Sequence, residues 1–311
     1  MAFRSLNPLP TTPLVAGILL AGTLLLSATA QALTFRLPDN NDEVVGDNMT
    51  YTTSYEDTFV DIGRIYGLGF REMMNANPGV HPWVPGEATE ITLPLSYILP
   101  QESRAAIVLN LAEFRMYHFL PEKNTVRSYG VGIGREGWET PLTETRVTSV
   151  AANPSWTPPD SIRREHAARG AILPRAVAPG PDNPLGHYAV RLALPSYLFH
   201  GSNKPVGVGM RVSHGCIRLY DGDIEELAYA VSPGTPVRIV NEPVKAGWLR
   251  GRLYLEVHPQ LEEDVDQPLE FMPVIEAALA RRADSGIVVD WDRVRTAVEE
   301  QRGVPVDITG G

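Results

Sequence analysis

The chain holds a single cysteine, Cys216, in the run Ser213-His214-Gly215-Cys216-Ile217-Arg218-Leu219. Sixteen positions earlier stands His200, in Phe199-His200-Gly201-Ser202-Asn203. A thiol and an imidazole are the parts of nucleophilic acyl transfer. The sulfur attacks a carbonyl, and the imidazole takes the thiol proton and returns it to a leaving amine. An imidazole beside the sulfur is also expected to lower the thiol pKa. Gly215 permits a tight turn just before the sulfur, which would aim the Cys216 backbone N–H at the developing oxyanion. If Cys216 to Arg218 is extended, the two side chains share a face, and Arg218 is placed to bind a substrate carboxylate or to steady the loop. A zinc site built from His200, His214 and Cys216 is the competing chemistry, since catalytic zinc takes three protein ligands. His81, His118, His166, His187 and His258 stand in no motif.

Two strand ends must meet for this chemistry. Tyr197–His200 reads as a strand ending on the imidazole, and Ser213–Leu219 as a turn entering a strand. Gly207 and Gly209 lie in the connection between them. Asp223-x-x-Glu226 has the pattern of a capping box for a helix carrying Ile224, Leu227 and Ala228 behind the site. Around this centre the pattern is of short strands: 106–111, 115–119, 126–131, 145–150, 188–192 and a closing strand at 237–240. A Pro-rich loop, 153–186, interrupts them, and a loop of that length inside a domain is usually functional. The fold class expected is mainly β, a sandwich or barrel-like domain over 104–240.

A smaller unit, 49–95, reads strand, helix, helix, strand. Asp57 or Thr58 caps the first helix, which carries Phe59, Ile62, Ile65 and Tyr66, and Gly67-Leu68-Gly69 ends it. Asn77-Pro78-Gly79 closes the second helix. Residues 33–48 read as a polar lead-in. The tail, 241–311, shows one strand-like piece at 252–257 and helical patterns near 272–282 and 291–301, with no chemical motif.

At the N-terminus Arg4 precedes the apolar run Leu14–Leu26. Ala28-Thr29-Ala30 and Ala30-Gln31-Ala32 both fit a small-residue cleavage site. This is the layout of a secretory signal peptide over residues 1–32, and the run is too short for a spanning helix. No cysteine near it could carry a lipid. The mature chain is then expected outside the cytoplasm, in an oxidising compartment where one cysteine has no intrachain partner. The formal net charge of -10 argues against nucleic acid and anionic lipid as partners.

His200-Gly201, the Ser213–Leu219 run, and Asp221 and Leu227 beyond it together resemble the YkuD-type L,D-transpeptidases over 104–240. Trp138-Glu139-Thr140-Pro141 matches that family's Thr-Pro step, and Gly201-Ser202 departs mildly from its commoner Gly-Thr. Residues 49–95 resemble a LysM module, through Asp57-Thr58, Ile62, Tyr66-Gly67, Asn75-Ala76-Asn77-Pro78, Pro85-Gly86 and Ile91-Thr92-Leu93-Pro94. With the leader and the 153–186 loop, the layout looks like the periplasmic subgroup of Gram-negative bacteria.

The resemblance implies a β-sandwich catalytic domain, a small βααβ glycan-binding module and a partly helical tail. It implies Cys216 as nucleophile, His200 as acid/base, and Ser213, His214 and Gly215 shaping the oxyanion side. Arg218, Gly201 and Ser202 would contact substrate, and neither metal nor cofactor is required. The implied donor is a peptidoglycan tetrapeptide, attacked at its meso-diaminopimelate carbonyl with release of D-alanine. The acceptor would be the amine of another stem peptide or a lysine of an outer-membrane lipoprotein. Water as acceptor would make the protein a carboxypeptidase, and loss of chemistry would leave a glycan-binding wall protein.

Overall fold

The computed structural model describes residues 32–38, 41–101 and 107–311. The expected leader lies outside them except for Ala32, which is buried in the main core.

The first third of the chain holds strands β1 (Leu33–Arg36), β2 (Val44–Gly46) and β3 (Met49–Thr52), helices α1 (Phe59–Tyr66) and α2 (Phe70–Ala76), and strands β4 (Glu90–Leu93) and β5 (Ser96–Ile98). The next stretch adds β6 (Ile107–Asn110), β7 (Arg115–Leu120), β8 (Thr125–Gly130), β9 (Ile133–Gly134) and β10 (Thr143–Ala152). After these come α3 (Asp160–Ala168), β11 (Tyr188–Leu192), β12 (Leu198–His200), β13 (Arg211–Ser213), β14 (Ile217–Arg218), α4 (Asp221–Ala230) and β15 (Pro236–Val240). The remainder is β16 (Val244–Leu249), β17 (Arg252–Val257), α5 (Met272–Ala280), α6 (Trp291–Glu300) and β18 (Val306–Asp307).

The structure is mainly β. Nine strands form one sheet in the order β1-β8-β7-β6-β15-β10-β11-β12-β14. Both faces of its centre are covered, so alternate residues of one strand enter different cores. Ile107 and Leu109 of β6 join Met116, Phe199, Ile217, Ile224 and Leu227 on one face. Val108, between them in sequence, joins Tyr117, Phe119 and Val126 on the other.

The strand at 236–240 does not close the sheet. It lies at its centre, parallel to β6 and antiparallel to β10. Nor is 33–48 a mere lead-in, because β1 pairs with β8 at the sheet edge and β2 pairs with β5. Sequence pattern marks strands, but strand order is set by tertiary packing.

The 49–93 unit has the expected element order. Thr58 caps α1 by accepting the Asp61 N–H, and Gly67 ends it at φ 66°. Phe59, Ile62, Leu68, Met73, Ile91 and Leu93 form its core. Ile65 is exposed rather than part of that core.

The tail is more than two helices. β16 and β17 form a hairpin through Arg250 and Gly251, both at positive φ (50° and 79°), as a two-residue turn between twisted strands requires. β18 adds a third strand, and Trp248, Leu253, Leu255, Ile275, Ala278, Val294 and Ile308 make a separate core.

Buried charges join the three units. The Arg115 guanidinium, fully buried, donates to Glu72 at 2.5 Å, Gly67 O at 3.2 Å and Ser128 at 2.9 Å, which ties the sheet to α2. Lys245 bonds Glu113 and Glu256, each at 2.9 Å, and the Ile98 carbonyl at 2.5 Å, which ties the sheet to the tail. The Lys245 ammonium is fully partnered, the condition for an ion to be tolerated away from water, whereas the Arg115 Nε is buried without a partner. At the surface Glu262 takes Arg71 of α2 and Arg211 of β13.

Candidate active site

β12 and β14 are adjacent parallel strands, with His200 in register with Arg218. Cys216 stands two residues before Arg218 along the same chain. The alternation of a strand therefore puts imidazole, thiol and guanidinium on one face. All three line one cavity of about 600 Å³, together with Ser213, His214, Met210 and Val212.

The turn carrying the sulfur is held from several sides. Gly215 has φ 97°, and a Cβ there would lie 2.7 Å from the Tyr197 ring, so glycine is required. Ser213 Oγ accepts the Gly215 N–H at 3.1 Å and donates to the Cys216 carbonyl at 2.5 Å. Thr140, from the Thr-Pro step, donates to the Gly215 carbonyl at 2.9 Å and accepts the Gly134 N–H at 3.1 Å. Among the described residues no acceptor takes the Cys216 N–H, which leaves it available as an oxyanion donor.

The thiol does not bond the imidazole directly. It donates to the Ser196 carbonyl at 3.4 Å. His200 Nδ1 lies 2.6 Å from Gly201 O. A carbonyl only accepts, so Nδ1 carries the proton and Nε2 is left as the basic nitrogen. The expected lowering of the thiol pKa is not found. Burial pushes the Cys216 thiol up, against smaller opposing effects of the Leu198 backbone and Arg218. Burial, with Arg218 beside it, lowers His200 to about 4, against the Gly201 and Pro184 backbone. The resting pair is a neutral thiol and a neutral imidazole, because burial penalises both charged forms.

Arg218 lies in the same wall, partly buried. Burial pulls its pKa below the ordinary arginine value, and its Nε is buried without a hydrogen-bond partner. A partly buried cation with an unpartnered donor is suited to receive an anion.

Gly201 and Ser202, expected to touch substrate, are not on the cavity wall. The Ser202 hydroxyl accepts the Lys204 N–H at 2.9 Å and donates to the Lys204 carbonyl at 3.0 Å. These two residues shape the loop behind His200. The expected capping box also shifts: α4 starts at Asp221, and Asp223, two residues in, is fully buried with both oxygens unpartnered.

Sequence reasoning missed the contents of the 153–186 segment. It is not structureless, since it forms α3, and Trp156, Ile162, His166, Leu173 and Val177 wall the cavity. From α3, Glu165 meets His214 Nε2 at 2.8 Å and Arg135 at 2.6 Å, and Arg169 at 2.8 Å. The His214 and Arg135 contacts hold the Glu165 carboxyl down to about 2. The Trp138 ring lies edge-on to His214 at 4.7 Å. His214 thus fastens α3 to the turn that bears the sulfur.

For metal binding, only Glu113, Glu256 and His258 gather among the described residues, with ligand atoms within 4.8 Å of one another. The Lys245 ammonium already bonds both carboxylates, so a cation is built into that cluster.

Comparison with known proteins identifies the family. The family model for the L,D-transpeptidase catalytic domain (YkuD) matches residues 104–239. The Escherichia coli (strain K12) protein named probable L,D-transpeptidase YcfS is 39% identical over 295 residues, 93% of this chain and 92% of that one. The chain belongs to the L,D-transpeptidase family. Probable L,D-transpeptidase ErfK/SrfK of the same organism is 38% identical, over 93% of this chain and 94% of its own. Among solved structures, L,D-transpeptidase 3 from Mycobacterium tuberculosis aligns at a TM-score of 0.33 and 18% identity, over 48% of this chain and 66% of that one. The similarity to the two Escherichia coli L,D-transpeptidases runs well beyond residues 104–239. Among the described residues no helix is long and apolar enough to cross a membrane.

Proposed function

We propose that this L,D-transpeptidase uses Cys216 as its nucleophile on a peptidoglycan tetrapeptide. The observation that carries this is the thiol, imidazole and unpaired guanidinium on one wall of a single cavity. The donor's meso-diaminopimelate carbonyl enters opposite the sulfur. His200 Nε2 takes the thiol proton as the C–S bond forms, so the thiolate exists only during attack. The Cys216 N–H faces the oxyanion, and Arg218 holds the carboxylate of the terminal D-alanine. His200 then returns the proton to the D-alanine nitrogen as that bond breaks, leaving a thioester. An amine takes the acyl group. It belongs to a second stem peptide or to a lysine of an outer-membrane lipoprotein.

The α3 wall favours transfer over hydrolysis by keeping water away from the thioester. The 49–95 unit, LysM-like in its elements, is the glycan-holding module. Residues 1–30 act as a signal peptide that delivers the enzyme to the periplasm, with cleavage after Ala30, because Ala32 belongs to the folded core. The test is incubation of the purified protein with tetrapeptide and an amine acceptor. Amide product and free D-alanine in equal amounts support the reading. Tripeptide with no amide product makes the protein a carboxypeptidase.

A further inference from the structure

Among the described residues His200 has no carboxylate of its own, yet one stands a single peptide group away. The Gly201 carbonyl that accepts from His200 Nδ1 at 2.6 Å belongs to the peptide joining Gly201 to Ser202. The other end of that peptide, the Ser202 N–H, donates to Asp221 Oδ1 at 3.0 Å. A peptide group is planar and delocalised. A negative charge accepting its N–H pushes electron density toward its oxygen, and bonds in such a chain strengthen one another.

We propose that Asp221 is the positioning carboxylate of the active site, acting on His200 through the Gly201–Ser202 peptide. During attack Nε2 gains the thiol proton and the ring becomes an imidazolium. The Nδ1 proton stays on Nδ1, donated to the Gly201 carbonyl, and no proton passes to Asp221. Its part is to hold the ring in the tautomer that leaves Nε2 basic, and to balance the new positive charge from across the peptide.

The surroundings are built for this. A Cβ on Gly201 would come within 2.1 Å of Asp221 Oδ1, and one on Gly186 within 2.4 Å. Both glycines are what let the carboxylate reach the peptide. Asp221 opens α4, where the helix N-terminus favours an anion, and Ile224 and Leu227 anchor that helix in the core. The other oxygen, Oδ2, lies 3.2 Å from His187 Nδ1. This also accounts for Gly201 and Ser202, which the cavity does not use.

Other titratable groups face the imidazole from the same cavity: Arg218 on β14, Cys216 and His214 on its turn, His166 on α3, and Asp182 and Lys204 on the loops. All of them remain when Asp221 is changed, so the comparison isolates one charge. The inference rests on the Cys216–His200 reading, but its test does not need the peptidoglycan substrate.

Asp221→Asn keeps the shape and an acceptor oxygen while removing the charge. The His200 ring is followed by ¹⁵N NMR against pH, and Cys216 by its rate of alkylation with iodoacetamide. The expected result is a His200 midpoint moved to lower pH and alkylation at pH 7 slowed on the order of tenfold, the lower end of what is lost when the partner behind a metal-bound histidine is removed. His187→Ala should leave both within about twofold. A role confined to folding would lower Tm and leave the His200 midpoint of the folded protein unchanged, and that result overturns the proposal. Should Asp221→Asn not fold, the wild type decides. Its Ser202 amide proton must shift with the His200 midpoint, and an amide blind to that titration also overturns it. If instead the wild type transfers no acyl group while the Asp221 effect persists, the transpeptidase reading fails and this one stands.

Discussion

Replacing Arg218 with Met should cost activity without costing stability. The guanidinium lines the cavity, its Nε has no partner, and among the described residues no carboxylate forms an ion pair with it. Its donors are therefore open to the substrate. Hydrogen bonds to a charged group contribute about 1.5–3 kcal/mol each, so losing the carboxylate contact should lower kcat/KM by roughly 10- to 150-fold. The stability account has the opposite sign. No ion pair is broken, and a desolvated cation gives way to an apolar chain of similar length, a change that is neutral or stabilising. The assay pairs kcat/KM on tetrapeptide with Tm, then repeats both on a tetrapeptide whose terminal carboxylate is an amide. Wild type should lose on the amide what Arg218→Met loses on the acid, and the variant should lose little further. A variant that loses stability while retaining kcat/KM would show that Arg218 serves the fold, not the substrate.

Glu165→Gln removes the charge that holds His214, Arg135 and Arg169. It should raise the ratio of hydrolysis to transfer, read as tripeptide against amide product, with a Tm change of only a few degrees because these contacts are partly exposed. Breaking the buried Arg115–Glu72 pair by Glu72→Gln should cost about 3–5 kcal/mol in urea unfolding, since it strands a guanidinium that is fully buried.

The pH dependence of stability follows from three buried groups. Burial lowers both His118 and His200 to about 4. The unfolded chain therefore takes up two protons near pH 6.5 that the folded chain refuses until about pH 4, and stability falls as pH drops through that window. Asp223 opposes them, because burial raises it to about 7. The folded chain keeps that proton while the unfolded chain loses it near pH 3.8, so its contribution is lost as pH rises toward 7. Two histidines against one aspartate leave a net rise of about 1.4 kcal/mol per pH unit between roughly 4 and 6.5. Asp223→Asn should raise Tm at pH 8 much more than at pH 5. Equal shifts at both pH values would contradict the burial of an unpartnered carboxylate.

The clustering of thiol, imidazole and guanidinium in one cavity was legible because its parts stand in short contiguous runs. His200-Gly201 and Ser213–Leu219 each carry both the chemical group and the turn residues that aim it. Thr140 was legible as part of a motif, though only the structure gives its bond to the Gly215 carbonyl. Glu165 was hidden by distance, since it meets His214 from 49 positions away on a helix inside a Pro-rich stretch. Proline at 158 and 159 did not forbid that helix but preceded its first turn, where proline is tolerated. The Asp223–Glu226 spacing misled because the helix begins two residues earlier. The aspartate that meets the loop is Asp221, while Asp223 points into the core. The central place of β15 and the edge place of β1 depend on which strands pair, and local pattern does not encode that. In the tail, Lys245 and Gly247 disguised β16. Its signal was Arg250-Gly251, a two-residue turn placed for a hairpin with the strand that the sequence did reveal.

The most direct test of the whole account is the intact mass of the purified protein during turnover of tetrapeptide without an acceptor amine. The account predicts an adduct equal to the donor minus D-alanine, carried on the peptide containing Cys216, abolished by Cys216→Ala and failing to form in His200→Ala. Release of D-alanine at the wild-type rate by Cys216→Ala, or an acyl group found on any other residue, would contradict it.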